Sequence, residues 1–270
     1  MRLPRAGRAR MPPVVPERRA RSLAGINREA YIYFGAGATV AWQMAMPGVG
    51  RGVAAHSRTL QRPLERLRAT MAYVYAVTLG DDADRRRIAA HVNRAHAPVR
   101  GSGYSAFDPD LQLWVAATLY RGALDVHALF AGPVAEADRE PLYRQAWAFG
   151  RTLQVRDTQW PPDADTFDLW WEAQQASLSV DAQVRAYMRA VLDGGQVPWV
   201  LRPAMPLQRF VTRGLLPPRL RALFGLAWSA RDERNWQRFR RWAPRLYWAA
   251  PRVLRHWPAK YYLGQLRRRG

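Results

Sequence analysis

Residues 63–80, PLERLRATMAYVYAVTLG, decide how the rest of the chain is read. Pro63 suits a first helical position, where its missing N–H costs nothing, and Gly80 suits a stop. Charge is confined to the first half, at Glu65, Arg66 and Arg68, and Ala69 to Leu79 carry none. A helix apolar on every side is buried on every side. This stretch therefore predicts the central helix of an all-helical bundle.

Helical periodicity extends in both directions, and the alternation of a half-buried strand is scarce. On the N-terminal side the pattern predicts a helix at about 24–34, a buried segment to Met46, and a helix opened by Pro47 that runs to about Arg58. Residues 30–50 are uncharged and match the ~20 residues that span a bilayer. The glycines at 35, 37, 48 and 50, together with Pro47, favour two short buried helices joined near Pro47 instead. On the C-terminal side, helices are expected at about 84–99 and, capped by Asp108, from Pro109 to about Phe130. Others follow at 136–155, 165–178 and 180–192. Pro198, Pro203 and Pro206 read as a connector, and Pro217-Pro218 opens a short helix capped by Gly225. A Trp/Arg-rich helix covers 230–242, after which prolines 244, 251 and 258 divide the remainder into short pieces. The expected fold class is all-α, a single-domain multi-helix bundle around a central buried helix. Its expected parts are a flexible basic tail at 1–21, the helical domain at 22–230, and a C-terminal extension at 231–270 packed on the domain or peripheral to it.

The 270 residues include 12 Trp, 11 Tyr and 8 Phe, enough to fill a sizeable core, and no Cys. Disulfides, Cys-ligated zinc, iron–sulfur clusters and thiolate-ligated haem are thereby excluded. The formal net charge is +21. It sits at the ends: residues 1–21 carry seven arginines against Glu17, and residues 231–270 carry twelve basic residues against Asp232 and Glu233. Lys260 is the single lysine, a bias that fits codon usage better than a nucleic-acid surface. No helix-turn-helix pattern accompanies the charge, so nucleic acid is not the expected partner. The alternative to catalysis is a basic helical protein that binds nucleic acid or an anionic membrane surface, the latter with Trp236, Trp242, Trp248 and Trp257 between Asn235 and Tyr262 as interfacial anchors. The plainer reading packs those tryptophans on the domain. The first 21 residues lack a signal-peptide core, which places the expected location in the cytoplasm, peripheral to the inner membrane face if the basic ends hold lipid.

The five histidines are His56, His91, His96, His127 and His256. His91 and His96 share a helix at a spacing of five, roughly 140° apart around its axis, so they cannot share one ligand sphere. Ile88, Val92, Ala95 and Val99 form an apolar stripe with His96 beside them, which makes His96 the inward one. It is either a satisfied core histidine or an axial iron ligand. A lone histidine on an apolar helix suits a flat macrocycle better than a bare ion, which wants three or four ligands. Arg66 and Thr70 lie one turn apart on the 63–80 helix, and Tyr73 and Val77 continue their face. An arginine entering that stripe needs an anion: Glu65, Glu29, or a carboxylate carried by a cofactor.

Five stretches, FGAGATVAWQMAMPGVGRGVAAHS (34–57), RPLERLRATMAYVYAVTLG (62–80), HVNRAHAPVRG (91–101), YSAFDPDLQLWVAATL (104–119) and LPPRLRALFGLAW (216–228), taken in order, resemble the catalytic domain shared by bacterial rubber oxygenases and MpaB-type oxygenases. The resemblance implies haem b, with His96 as the proximal iron ligand and Arg66 and Thr70 beside the haem. It also implies an oxidoreductase acting on an apolar organic substrate with dioxygen, with Met71, Tyr73 and Trp114 as expected pocket walls. Two departures bear on activity. Ala69 stands where rubber oxygenases carry a lysine just before the Thr, which argues against rubber as substrate. Ala116 stands where the family often has a histidine after Trp-Val.

Overall fold

The structure, a computed structural model, describes residues 20–57, 60–194 and 197–268. Residues 1–19 of the expected basic tail lie outside it. Among the described residues the fold is all-α, and the only strands are a two-residue antiparallel pair, β1 (Arg100–Gly101) and β2 (Tyr104–Ser105).

The 63–80 stretch forms α4 (Pro63–Leu79), with Pro63 in its first turn and Gly80 closing it. Met71, Tyr73, Val74, Tyr75, Ala76 and Val77 are buried, as the uncharged half predicts. It packs on α1 (Leu23–Arg28), α5 (Asp82–His96), α7 (Glu136–Arg151) and α13 (Arg252–Arg268). The largest share of the core belongs to α6 (Pro109–Ala131), which has buried residues from Gln112 to Ala131 and lies along α2 (Ile32–Ala45). Asp108 caps α6 by accepting from the backbone N–H groups of Asp110 and Leu111. Between α2, α6 and α8 (Ala164–Gln174), Trp114 stacks on Trp171 at 4.9 Å between centroids, and Trp42 lies 4.9 Å from Trp171.

The glycines of α2 do not break it. An ideal Cβ on Gly37 would stand 2.1 Å from Thr212 Oγ1, and one on Gly122 of α6 would stand 2.2 Å from Thr39 Oγ1. Both residues let helices approach more closely than any side chain allows. The uncharged 30–50 segment is divided at Met46 into α2 and α3 (Pro47–His56), and no helix of the described residues is long and apolar enough to cross a membrane.

Four expectations need correction. The 24–34 helix is split, because Glu29 leaves α1 with extended backbone and its carboxylate binds Arg255, His256 and Tyr247. The 84–99 helix is α5, which starts at Asp82 and stops at His96, where the chain turns into β1. The proline connector contains α10 (Met205–Leu215), because Pro206 falls in a first turn, where proline is tolerated. Prolines 244 and 258 lie inside α12 (Ala230–Ala249) and α13, and only the turn at Ala250-Pro251 separates those helices. An interior proline costs ~3 kcal/mol. Burial of aromatics offsets it in α12: Trp248 donates to the Phe130 carbonyl at 2.6 Å, and Tyr247 lies 5.4 Å from Tyr31. The 231–270 extension is thus packed on the body, with α12 against α6 and α13 against α4.

Candidate functional site

His96 is the last residue of α5, so its position depends on how that helix is held at both ends. At the start, Asp81 and Asp84 form a capping box, and Arg267 of α13 pairs with the buried Asp84 at 2.7 Å. The Arg267 hydrogen bond holds the Asp84 carboxyl below its usual pKa. At the far end Asn93 Oδ1 accepts from Gln154 at 3.0 Å, and the Gln154 backbone N–H donates to Gln112 Oε1 at 2.7 Å. Gln112 also donates to the Ala106 carbonyl. This network ties the last turn of α5 to α6 and to the segment after the hairpin, and sequence reasoning did not single it out. The signal was faint: an Asn three residues before His96 and a Gln at an otherwise apolar position of α6.

The five histidines separate clearly. His56 bonds Tyr104, His127 bonds Tyr31 and His256 bonds Glu29. His91 is exposed. His96 is half-buried, its Nδ1 is fully buried, and among the described residues no hydrogen bond engages either ring nitrogen. Desolvation, with the Arg66 charge nearby, lowers its pKa to about 4, so the ring is neutral at pH 7. Of the expected apolar stripe only Ile88 is fully buried. Val92 and Val99 are half-buried and Ala95 is exposed, because α5 lies at the edge of the bundle.

Arg66 stands close enough to His96 to repel its proton, so α4 and α5 bring the two expected residues together. Neither expected carboxylate reaches Arg66: Glu65 pairs with Arg62, and Glu29 with Arg255 and His256. Arg66 is exposed, and the protein around it still lowers its pKa through desolvation. Tyr187 of α9 (Ala182–Asp193) is the other group in electrostatic reach of Arg66, and its hydroxyl is buried without a partner. The Thr70 hydroxyl donates to the Arg66 carbonyl at 3.1 Å, so its proton is committed to the helix backbone.

All three expected walls, Met71, Tyr73 and Trp114, belong to the core. Trp114 donates to the Trp42 carbonyl and is enclosed by Trp42, Trp170 and Trp171, and Tyr73 donates to the Phe149 carbonyl. Ala116 is buried on the same helix as Trp114. Two cavities, about 890 and 510 Å³, open elsewhere, and neither is lined by His96, Arg66 or Thr70. The functional case rests on the chemistry of His96 and not on their size. Among the described residues no three His, Asp or Glu side chains come together to hold a bare metal ion.

The chain matches the ER-bound oxygenase mpaB/B'/rubber oxygenase catalytic domain over residues 25–245. Uncharacterized proteins of Mycobacterium bovis and Mycobacterium tuberculosis are each 40% identical to it over 210 residues, covering 74% of this chain and 82% of theirs. No solved structure matches.

Proposed function

The chain belongs to the mpaB/rubber oxygenase catalytic-domain family, and from that premise we propose that it binds haem b through His96 and serves as an oxygenase for an apolar organic substrate. The observation that carries the reading is the state of His96. It is neutral at physiological pH, half-buried with its Nδ1 enclosed, and among the described residues free of the hydrogen bonds that hold His56, His127 and His256. A single imidazole, with no cluster of three His, Asp or Glu among the described residues, would suit a porphyrin iron better than a bare ion. Arg66 would supply the complementary half, a guanidinium near the ring that no carboxylate of the described residues pairs and that suits a haem propionate.

When bound, the haem would supply the dioxygen chemistry, and the protein would set ligation, polarity and access. His96 offers a ring nitrogen without first losing a proton. Arg66 would hold a haem carboxylate. The Thr70 proton is used by the Arg66 carbonyl, so Thr70 would act as an acceptor rather than a donor. Ala69, next to it, offers no ligand where rubber oxygenases carry a lysine.

The test is the visible spectrum of the purified chain and of His96→Ala, each titrated with hemin. A Soret band near one haem per chain, lost or strongly shifted in the variant, is expected. A wild-type chain that stays colourless with hemin, or a variant with an unchanged band, would overturn the reading.

A further inference from the structure

The end of α12 and the start of α13 form a corner whose two faces have opposite characters. Tyr247, Arg255 and His256 all bond the Glu29 carboxylate, so both helices turn their inner faces to one point of the body. Trp236 and Trp248 are on that inner side, Trp236 buried and Trp248 bonded to Phe130. Trp242, Leu246, Val253, Leu254 and Trp257 lie outward, each with more than half of its surface exposed. Only two of the four tryptophans expected as interfacial anchors therefore face out, and three exposed aliphatic residues lie on the same two helices.

An exposed cluster of this kind needs an explanation, and its rim supplies one. Arg238, Arg241, Arg245, Arg252 and Lys260 are exposed around it, and no carboxylate of the described residues pairs with them. Arg241 and Arg245 lie 5.9 and 5.4 Å from the Trp242 ring, holding charge beside the aromatic face. From Arg234 to Gly270 the sequence contains no Asp or Glu. We infer that this corner docks on an anionic lipid bilayer: the five apolar side chains enter the headgroup–acyl boundary and the basic rim meets the lipid phosphates and carboxylates. Nucleic acid would satisfy the rim but leave Leu246, Val253 and Leu254 in water. A second copy of the chain would bury the apolar residues but set arginine against arginine. A bilayer satisfies both parts, and the inference does not depend on haem.

The full chain is sedimented with vesicles of phosphatidylcholine alone and with vesicles also containing phosphatidylserine, beside two variants, Trp242→Ser/Leu254→Ser and Arg241→Gln/Arg245→Gln. All four positions are exposed, so unchanged circular dichroism and melting are expected. Binding should favour the anionic vesicles, and each variant should weaken it by roughly tenfold or more. Three results would overturn the inference: no binding to either vesicle, binding equal in wild type and the Trp242/Leu254 variant, or a dimer in light scattering that this variant dissolves. The second would assign lipid binding to charge elsewhere, and the third would assign the corner to a second copy.

Discussion

At the scale of single residues, what sets His96 and Arg66 apart is what they lack. Most buried polar groups in proteins are satisfied by a neighbour, and the other inward histidines here make at least one bond each, His127 through Nδ1 to Tyr31 and His256 to Glu29. Arg66 is exposed, and no carboxylate of the described residues pairs with it. Replacing Arg66 by Met should therefore leave the melting temperature of the haem-free chain nearly unchanged, while hemin affinity should fall roughly tenfold, the size of one charge-assisted contact of ~1.5 kcal/mol. A fall in both would mean that Arg66 has a structural partner. Helical spacing alone put His96 on an inward face. The fate of Glu65 and Glu29 was not legible, because their partners are three residues away in one case and more than two hundred in the other.

At the scale of elements, α5 carries the candidate ligand at one end and is secured at the other. Asp84 is the second half of the capping box, its side chain accepting from the Asp81 backbone N–H; it is wholly buried and accepts from Arg267, 183 residues away. Asp84→Ala removes that half of the box and the ion pair together, and leaves the Asp81 cap in place. A loss of about 1–3 kcal/mol in urea unfolding is expected, with hemin affinity falling alongside it because the register of His96 depends on α5. The acids at 81, 82 and 84 announced a helix start in the sequence. Their long-range partner did not, since one of twelve basic residues in the extension cannot be chosen by pattern. The misplaced boundaries share a cause. Prolines 206, 244 and 258 stop isolated helices, but burial elsewhere in the fold overrides a local cost of a few kcal/mol.

At the scale of the whole molecule, the histidines make stability depend on pH. Burial lowers His96 and His127 to about 4 in the folded chain, against about 6.5 when unfolded. Between those values the unfolded chain binds more protons, so stability is complete above pH 6.5 and falls as the pH drops toward 4. Urea midpoints of the haem-free chain should decline through that window, and His127→Gln should flatten the decline. A midpoint level from pH 7 to pH 4.5 would show that neither ring is held neutral. Glu29 has its carboxyl lowered by His256, Tyr247 and Arg255 against the cost of burial, and it fastens the C-terminal extension to the junction of α1 and α2. The same fastening turns the apolar corner of α12 and α13 outward.

The sequence by itself determined the all-helical class, the burial of α4, the caps at Asp108 and Gly225, and the inward direction of His96. These follow from periodicity and from backbone chemistry within a few residues. Only the tertiary structure decided that Arg66 has no carboxylate among the described residues, that Trp114 belongs to the core, that α12 continues through Pro244, and that Trp242 and Trp257 face outward while Trp236 and Trp248 do not. Each of those depends on which distant surfaces meet, and a contact between residues far apart in the chain leaves no mark on the local pattern of either.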